Sequence, residues 1–418
     1  MYSTDTAAER TTWVIVLAAN AILVALIVAS PSHPIYDEIP YLAYLNLLHQ
    51  DGLSVTFLRD YPGPAGPLHT FIYDAAIRVT HLPFPYLRLV SYALLLASAS
   101  LFARVAREIV PSAGAPHAVG GSLLGAIFSV LPTVAVSSGM TLTEVPAMSF
   151  VGVFLLALVW TISASSPLAS FIYAAAAGAA LGLAVLGQQN YLAVLPCLLM
   201  LLIPTHGNSM RQVAPVCVLG VVTIAVVGPV FLIWGGIIPP KLAAGTPGIS
   251  LWHGILAMGY AGIITFLIAP EIMRGTKWLL VVASVIALAI WALMSAGYMP
   301  MHTVASLVLG QATAQILVDI FDLLICFLAT FFLACMLAHL WDNSKSAMML
   351  FFGSVALVGL ATNIKNTYQF SSRYVFVFLP FVLLSVAPSM RLSWHLPIRI
   401  AIGASVGLIS LSSYLFWQ

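Results

Sequence analysis

Thirteen acidic side chains are spread over a chain of 418 residues, and two placements among them are suited to chemistry. The first is the adjacent pair Asp37-Glu38, in Ser30-Pro-Ser-His-Pro-Ile-Tyr-Asp-Glu-Ile-Pro40. It directly follows the first apolar run. A carboxylate held at that depth can take a proton from an incoming hydroxyl, as a general base. Glu144, in Gly139-Met-Thr-Leu-Thr-Glu-Val-Pro146, is a second acid placed between two apolar runs, where it can orient an acceptor. Both placements also suit helix caps with no chemistry. The basic residues Arg59, Arg88, Lys241, Lys365 and Arg373 fit a different task, since cations at headgroup depth can hold a lipid phosphate and Arg does so bidentately. Each also fits a simple anchor to anionic headgroups.

Three histidines, His33, His69 and His81, share the segment of the first acids. Without an HExxH motif or a close pair at helical spacing, they read as interfacial anchors or substrate hydrogen-bonding groups rather than metal ligands. No cofactor is required by these residues, and a divalent cation is not demanded. Asp319 and Asp322 lie near or inside an apolar run, and acids in such a place are functional by default. If their helix begins a turn later than residue 315, they reach the outer interface and join the site.

The elements that must position these groups follow from composition. Hydrophobic residues make up 61% of the chain and Asp, Glu, Lys and Arg only 7%. A soluble domain carries about 25% charge, so a water-soluble enzyme is excluded. A net charge of +2 offers no nucleic-acid footprint. Apolar runs of roughly 17 to 22 residues suit helices that cross a hydrocarbon core of about 30 Å. The runs predict an all-α polytopic membrane protein, a single transmembrane domain over 1–418 with about thirteen helices, at 12–30, 86–103, 117–138, 145–164, 169–187, 190–204, 213–233, 252–269, 278–297, 315–339, 347–362, 374–389 and 399–416. The first run, with Asp5 and Glu9 in its leader, reads as a retained helix and not a signal peptide. Cys197, Cys217, Cys326 and Cys335 all fall in apolar runs as packing residues.

With the N-terminus inside, nine basic residues fall at cytoplasmic ends and six outside, a modest positive-inside bias. The first outer loop, 31–85, is then long. It predicts a helix ending at Gly52, a rigid turn over Tyr61-Pro-Gly-Pro-Ala-Gly-Pro67, and an amphipathic interfacial helix over 67–80. That helix has an apolar stripe of Leu68, Phe71, Ile72, Ala75 and Val79, with Thr70, Asp74 and Arg78 opposite and Asp74 paired to Arg78. Gly178 and Gly182 form a GxxxG, read as close helix packing.

The order of these features resembles the GT-C superfamily of integral-membrane glycosyltransferases. The matching residues are Tyr36-Asp37-Glu38 after the first helix, the Pro-rich turn, Thr143-Glu144-Val145-Pro146, and a late Arg373-Tyr374 leading into a Pro-containing apolar helix. The likeness is to the protein O-mannosyltransferase and lipid A aminoarabinose transferase branch, with some to the dolichol-linked alpha-1,2-glucosyltransferase. It covers the first 165 residues well and the last 60 loosely.

The resemblance implies inverting transfer of a sugar from a polyprenyl- or dolichyl-phosphate donor to a glycan or lipid-linked acceptor hydroxyl. It implies a bacterial inner membrane and an active site facing the periplasm or exterior. Carried over by position, Asp37 matches the base, Glu38 its neighbour and Glu144 the acid of the second outer loop. Arg59, Arg373 and Lys365 are the candidates for the donor phosphate, and Tyr36, His69, Tyr61 and Tyr374 for substrate contacts. Some relatives place a Lys just before the prolines of the turn, where this chain has Tyr61 and Gly63. The chain also ends at Gln418 without the large soluble domain common in relatives that glycosylate proteins, which favours a lipid-linked or small glycan acceptor. The rival expectation is a secondary transporter or flippase for a lipid-linked or small polar substrate, with Asp319 and Asp322 its best support.

Overall fold

The computed structural model describes residues 2–63, 65–110, 119–203, 209–243, 248–274, 277–294, 306, 309–365 and 370–416. The central Pro64 of the Pro-rich turn and the ends of three expected spans, at 117–118, 204 and 295–297, lie outside the described residues. Helices account for the regular structure, and no β-strand occurs among the described residues.

Nine helices among the described residues are long and apolar enough to cross a membrane. They are accompanied by one bent pair and by three shorter apolar helices, Gln189–Leu202, Lys277–Leu293 and Leu379–Ser389. The helix expected over 117–138 is two helices, α6 (Gly121–Phe128) and α7 (Pro132–Ser138), meeting at 62°. Pro132 opens α7, and the missing N–H together with the bulk of its ring breaks the α-helical ladder there. The helix carrying Asp319 and Asp322 runs Gln311–Asp342, so it begins a turn earlier than 315, not later. Asp322 is fully buried on that helix, and Asp319 accepts a 3.2 Å bond from Gln315.

The chain divides into two compact units, residues 1–247 with 391–418, and residues 248–390. In the first unit α1 (Tyr2–Val28) pairs with the C-terminal helix His395–Phe416. Next, α5 (Leu87–Ile109) packs on α6 and on α8 (Glu144–Ser163), and α8 packs on α9 (Pro167–Gly187). The GxxxG of α9 lies against the helix Ser209–Trp234, where a Cβ at Gly178 would stand 2.5 Å from the Leu219 carbonyl oxygen. Small residues are needed because the two backbones touch.

Between α1 and α5 the chain forms α2 (Glu38–Asp51), α3 (Val55–Asp60) and α4 (Leu68–Thr80). Gly52 stops α2 at φ 62°, a left-handed value that glycine adopts without a Cβ clash. Ser54 caps α3 by accepting from the Phe57 N–H at 3.1 Å. The expected Asp74–Arg78 pair on α4 is present at 2.9 Å, and His49 of α2 joins it at 2.7 Å, latching the two helices. Burial raises the Asp74 pKa, but the hydrogen bonds and charges of His49 and Arg78 outweigh it and hold the carboxyl below its usual range. The protein-facing side of α4 is Leu68, His69, Thr70 and Tyr73, while Val79 of the apolar stripe is 81% exposed. Thr70, expected on the outward polar face, is buried.

The second unit gathers the helices Leu251–Ile268, Lys277–Met294, Gln311–Asp342, Ala347–Ala361 and Leu379–Val386. Two of its polar ties between helices go to backbone carbonyls, with Thr330 donating to Ala283 at 3.1 Å and His339 bonded to the Ser385 carbonyl at 2.9 Å.

Candidate active site

The two adjacent acids have opposite environments. Glu38, in the first turn of α2, is 0% exposed and so is Arg88, in the first turn of α5. The guanidinium grips the carboxylate with two bonds, Nε to Oε1 at 3.0 Å and Nη2 to Oε2 at 2.6 Å. Three further donors complete the Glu38 shell. The Thr141 backbone N–H reaches Oε1 at 2.8 Å, its hydroxyl reaches the same oxygen at 3.1 Å, and the Ile35 N–H reaches Oε2 at 3.1 Å. Arg88 also donates to the Ser30 hydroxyl and to the carbonyls of Pro31 and His33, at 2.5, 3.0 and 3.3 Å, and lies over the Phe84 ring. One ion pair thus ties the end of α1, the start of α2, the start of α5 and the loop before α8.

Asp37 stands at the N-cap position of α2, but its backbone is already helical and its side chain makes no capping bond. The carboxylate is half-buried, and burial together with its negative charge raises the Tyr44 phenol above its ordinary value. Tyr36, just before it, is 51% exposed at a strained φ of 45°, with its ring edge against Tyr414.

Glu144 opens α8 and is 2% exposed. The Thr143 hydroxyl donates to it at 3.4 Å, and Gln188 in turn donates to that hydroxyl at 2.8 Å. Tyr73 senses both acids. Burial, then the charges of Glu38 and Glu144, push its phenol well above the ordinary value against the opposing effect of its hydrogen bond with Ser91, to which the phenol donates. Ser91 donates onward to the Met140 carbonyl at 2.8 Å.

His69 lies fully buried between Tyr41 and Tyr73, with ring centroids at 5.2 and 4.5 Å. Burial lowers its pKa to about 4 against the opposing bond to the Thr141 carbonyl. The ring is therefore neutral, and Nε2–H donates to that carbonyl at 3.1 Å, which leaves Nδ1 as a buried acceptor with no partner among the described residues. Tyr61 is likewise buried, donating to the Gly66 carbonyl at 3.3 Å, and burial raises its phenol.

The structure brings Asp37, Glu38, Glu144, His69 and Tyr61 together in the first unit through α2, α4 and the loop before α8. Arg59 is exposed in the last turn of α3. Lys241 pairs with Asp60 at 3.3 Å. Arg373, Tyr374 and Lys365 belong to the second unit. There Lys365 is exposed at the end of a 3-10 turn, and Arg373 lies over the Tyr374 ring at 5.5 Å. An aromatic group adjoins them, Phe370 contacting His253, Tyr260 and Tyr374 at 5.8, 5.6 and 6.0 Å. Among the described residues no three His, Cys, Asp or Glu side chains converge as a metal site would require. Sequence reasoning missed the Glu38–Arg88 pairing, Tyr73 and Gln188. The first had a signal, since a full charge opening an apolar helix needs a countercharge.

These observations define an all-helical multi-pass membrane protein with an acidic, tyrosine-rich centre in its first unit. No family model matches the sequence, and no curated protein matches it. Two solved structures of ArnT from Cupriavidus metallidurans, one apo and one bound to undecaprenyl phosphate, resemble the chain at TM-score 0.46 with 15% and 14% identity, covering 97% of this chain and 78% of each of those. The Archaeoglobus fulgidus oligosaccharyltransferase tethered to an acceptor peptide resembles it at TM-score 0.38 and 15% identity, over 95% of this chain and 55% of that one. At these scores the likenesses assign neither a substrate nor a residue.

Two measurements test this geometry. Arg88→Met strands a buried carboxylate, so it should destabilise the protein by about 3–5 kcal/mol, while Arg88→Met with Glu38→Met should recover much of that loss. Unfolding in detergent by heat or denaturant reads both, and equal losses in the single and double variants would contradict the pairing. His69 has a folded pKa of about 4 against an ordinary 6.5, so protons bind the unfolded chain first. Stability should be full above pH 6.5 and fall by up to about 3 kcal/mol as the pH drops to 4. Comparison with His69→Gln at each pH isolates this component, and parallel curves would show that His69 is not buried as a neutral ring.

Proposed function

We propose that the chain is an inverting glycosyltransferase that moves a sugar from a polyprenyl-phosphate donor to an acceptor hydroxyl at the outer face of the membrane. The observation that carries this reading is the division of labour in Asp37-Glu38. Glu38 is spent on a buried clamp, while Asp37, the residue before it, is half-buried at the N-cap of α2 and makes no capping bond. The order of motifs that resembles the GT-C superfamily supports it as well.

In this mechanism Asp37 takes the proton of the acceptor hydroxyl, whose oxygen attacks the anomeric carbon. The bond from that carbon to the phosphate oxygen breaks on the opposite side, and polyprenyl phosphate leaves with its charge held by cations. The resemblance to the GT-C superfamily assigns that charge to Arg373, Lys365 and Arg59. Glu144, held by Thr143 and Gln188, orients the acceptor, and Glu38 positions Asp37 without touching substrate.

Asp37→Asn should lower sugar transfer by about 10²- to 10⁴-fold while donor binding and folding persist. Turnover is read as lipid-phosphate release from a panel of polyprenyl-phosphate sugars. Near-normal rates would remove Asp37 as base. If those rates coincided with a transport activity abolished by Asp322→Asn, the buried acid of the Gln311–Asp342 helix would favour a transporter instead. Arg373→Ala should weaken donor binding by about tenfold, equivalent to about 1.4 kcal/mol, and an unchanged affinity would take it out of the phosphate site.

A further inference from the structure

Beyond Gly187, α9 gives way to three consecutive carboxamides, Gln188-Gln189-Asn190, in a chain where only 7% of residues are charged. Gly187 fixes where they sit. A Cβ there would come within 2.7 Å of the Ala147 side chain and 2.9 Å of Leu68, so the segment lies against the first turn of α8 and the start of α4. Gln188 adopts an extended backbone, φ −151° and ψ 105°, before the 3-10 helix Gln189–Ala193 begins. The break is tied to the acid of the second loop through Gln188, which bonds Thr143, which bonds Glu144. Asn190 is half-buried. Gln189 is half-buried too, but its Nε2 is enclosed and has no hydrogen-bond acceptor among the described residues.

A buried amide left without an acceptor costs about 1–3 kcal/mol. Resting on the transferase reading, we propose that Gln189, with Asn190 beside it, recognises the hydroxyls of a sugar ring held next to Glu144. A carboxamide offers two donors and an acceptor, which matches hydroxyls that both donate and accept. It carries no charge, so it adds no desolvation penalty for an ion and no competing site for the donor phosphate. The ring is a pyranose or furanose belonging either to the lipid-linked donor or to the acceptor glycan, and Gln188 acts as a positioning residue that holds the Thr143–Glu144 edge against it.

The test uses full-length protein in detergent, titrated with decaprenyl phosphate and with decaprenyl phosphates bearing a hexose or a pentose. Gln189→Leu, Gln189→Glu and Asn190→Ala are compared with the wild type, and thermal unfolding reports whether each folds. The Gln189 variants should bind the preferred sugar-bearing lipid about tenfold more weakly, with the bare lipid phosphate bound as before. If donor binding is unchanged and the acceptor KM rises about tenfold, the recognised ring belongs to the acceptor and the proposal stands. Equal losses for bare and sugar-bearing lipids would overturn it as general damage. No change in donor affinity or acceptor KM in the Gln189 variants would overturn it too, showing that water satisfies the amide. Should Gln189→Leu fail to fold, Gln189→Glu and Asn190→Ala carry the same reading. Failure of wild-type protein to bind any of these lipids or to release lipid phosphate would instead defeat the transferase reading, and that result appears before any variant is made.

Discussion

A full positive and a full negative charge, fifty residues apart in sequence, are sealed together where the first loop meets the helices of the first unit. Arg88 and Glu38 carry a desolvation cost of several kcal/mol per ion, and attraction alone does not offset it. What offsets it is saturation. Both carboxylate oxygens receive donors from outside the pair, and the guanidinium spends its remaining N–H groups on Ser30, Pro31 and His33. A half-satisfied network of this kind would be worse than an apolar core. The pair therefore permits only one register between the end of α1, α2, α5 and the Met140–Thr143 loop.

The consequence for chemistry lies in the neighbouring residue. Glu38 opens α2 and is fixed through its side chain, so the chain turn that delivers it also fixes Asp37. Tyr36 holds a left-handed backbone that a non-glycine residue adopts only under constraint, and the constraint is at hand in the Arg88 bonds to the carbonyls just upstream. Two adjacent acids in water would behave alike. Here one is built into the scaffold and the other is presented at its edge, and the same clamp carries Thr141, and so His69 and the Thr143–Glu144 edge, into place.

Local features of this arrangement were legible in the sequence because they depend on neighbours along one helix. The Asp74–Arg78 pair, the stop at Gly52 and the close packing at Gly178 and Gly182 follow from spacings of three or four residues and from glycine's missing side chain. The break at Pro132 was visible as a proline but was read through, because the apolar run continues on both sides of it. Apart from Leu68, the inward face of α4 was not legible. In a membrane protein an apolar stripe can face lipid, and the polar set of His69, Thr70 and Tyr73 can face the protein. Hydrophobicity alone then cannot say which side is in. Arg88 looked like a phosphate ligand for a similar reason, since its partner is supplied by a different helix.

Charge scarcity explains how the rest of the centre is built. With so few ions available, the polar work near Glu144 falls to hydroxyls, phenols and carboxamides, each bonded to the next: Gln188 to Thr143, Thr143 to Glu144, Tyr73 to Ser91, Ser91 to the Met140 carbonyl. Such groups are cheaper to bury than ions, and their geometry is directional, so they specify orientation without adding net charge. Burial and the charge of nearby carboxylates both raise the phenols of Tyr44 and Tyr73. Arg88 follows the same economy, because its one positive charge is spent on Glu38 and its other N–H groups on oxygens of Ser30, Pro31 and His33.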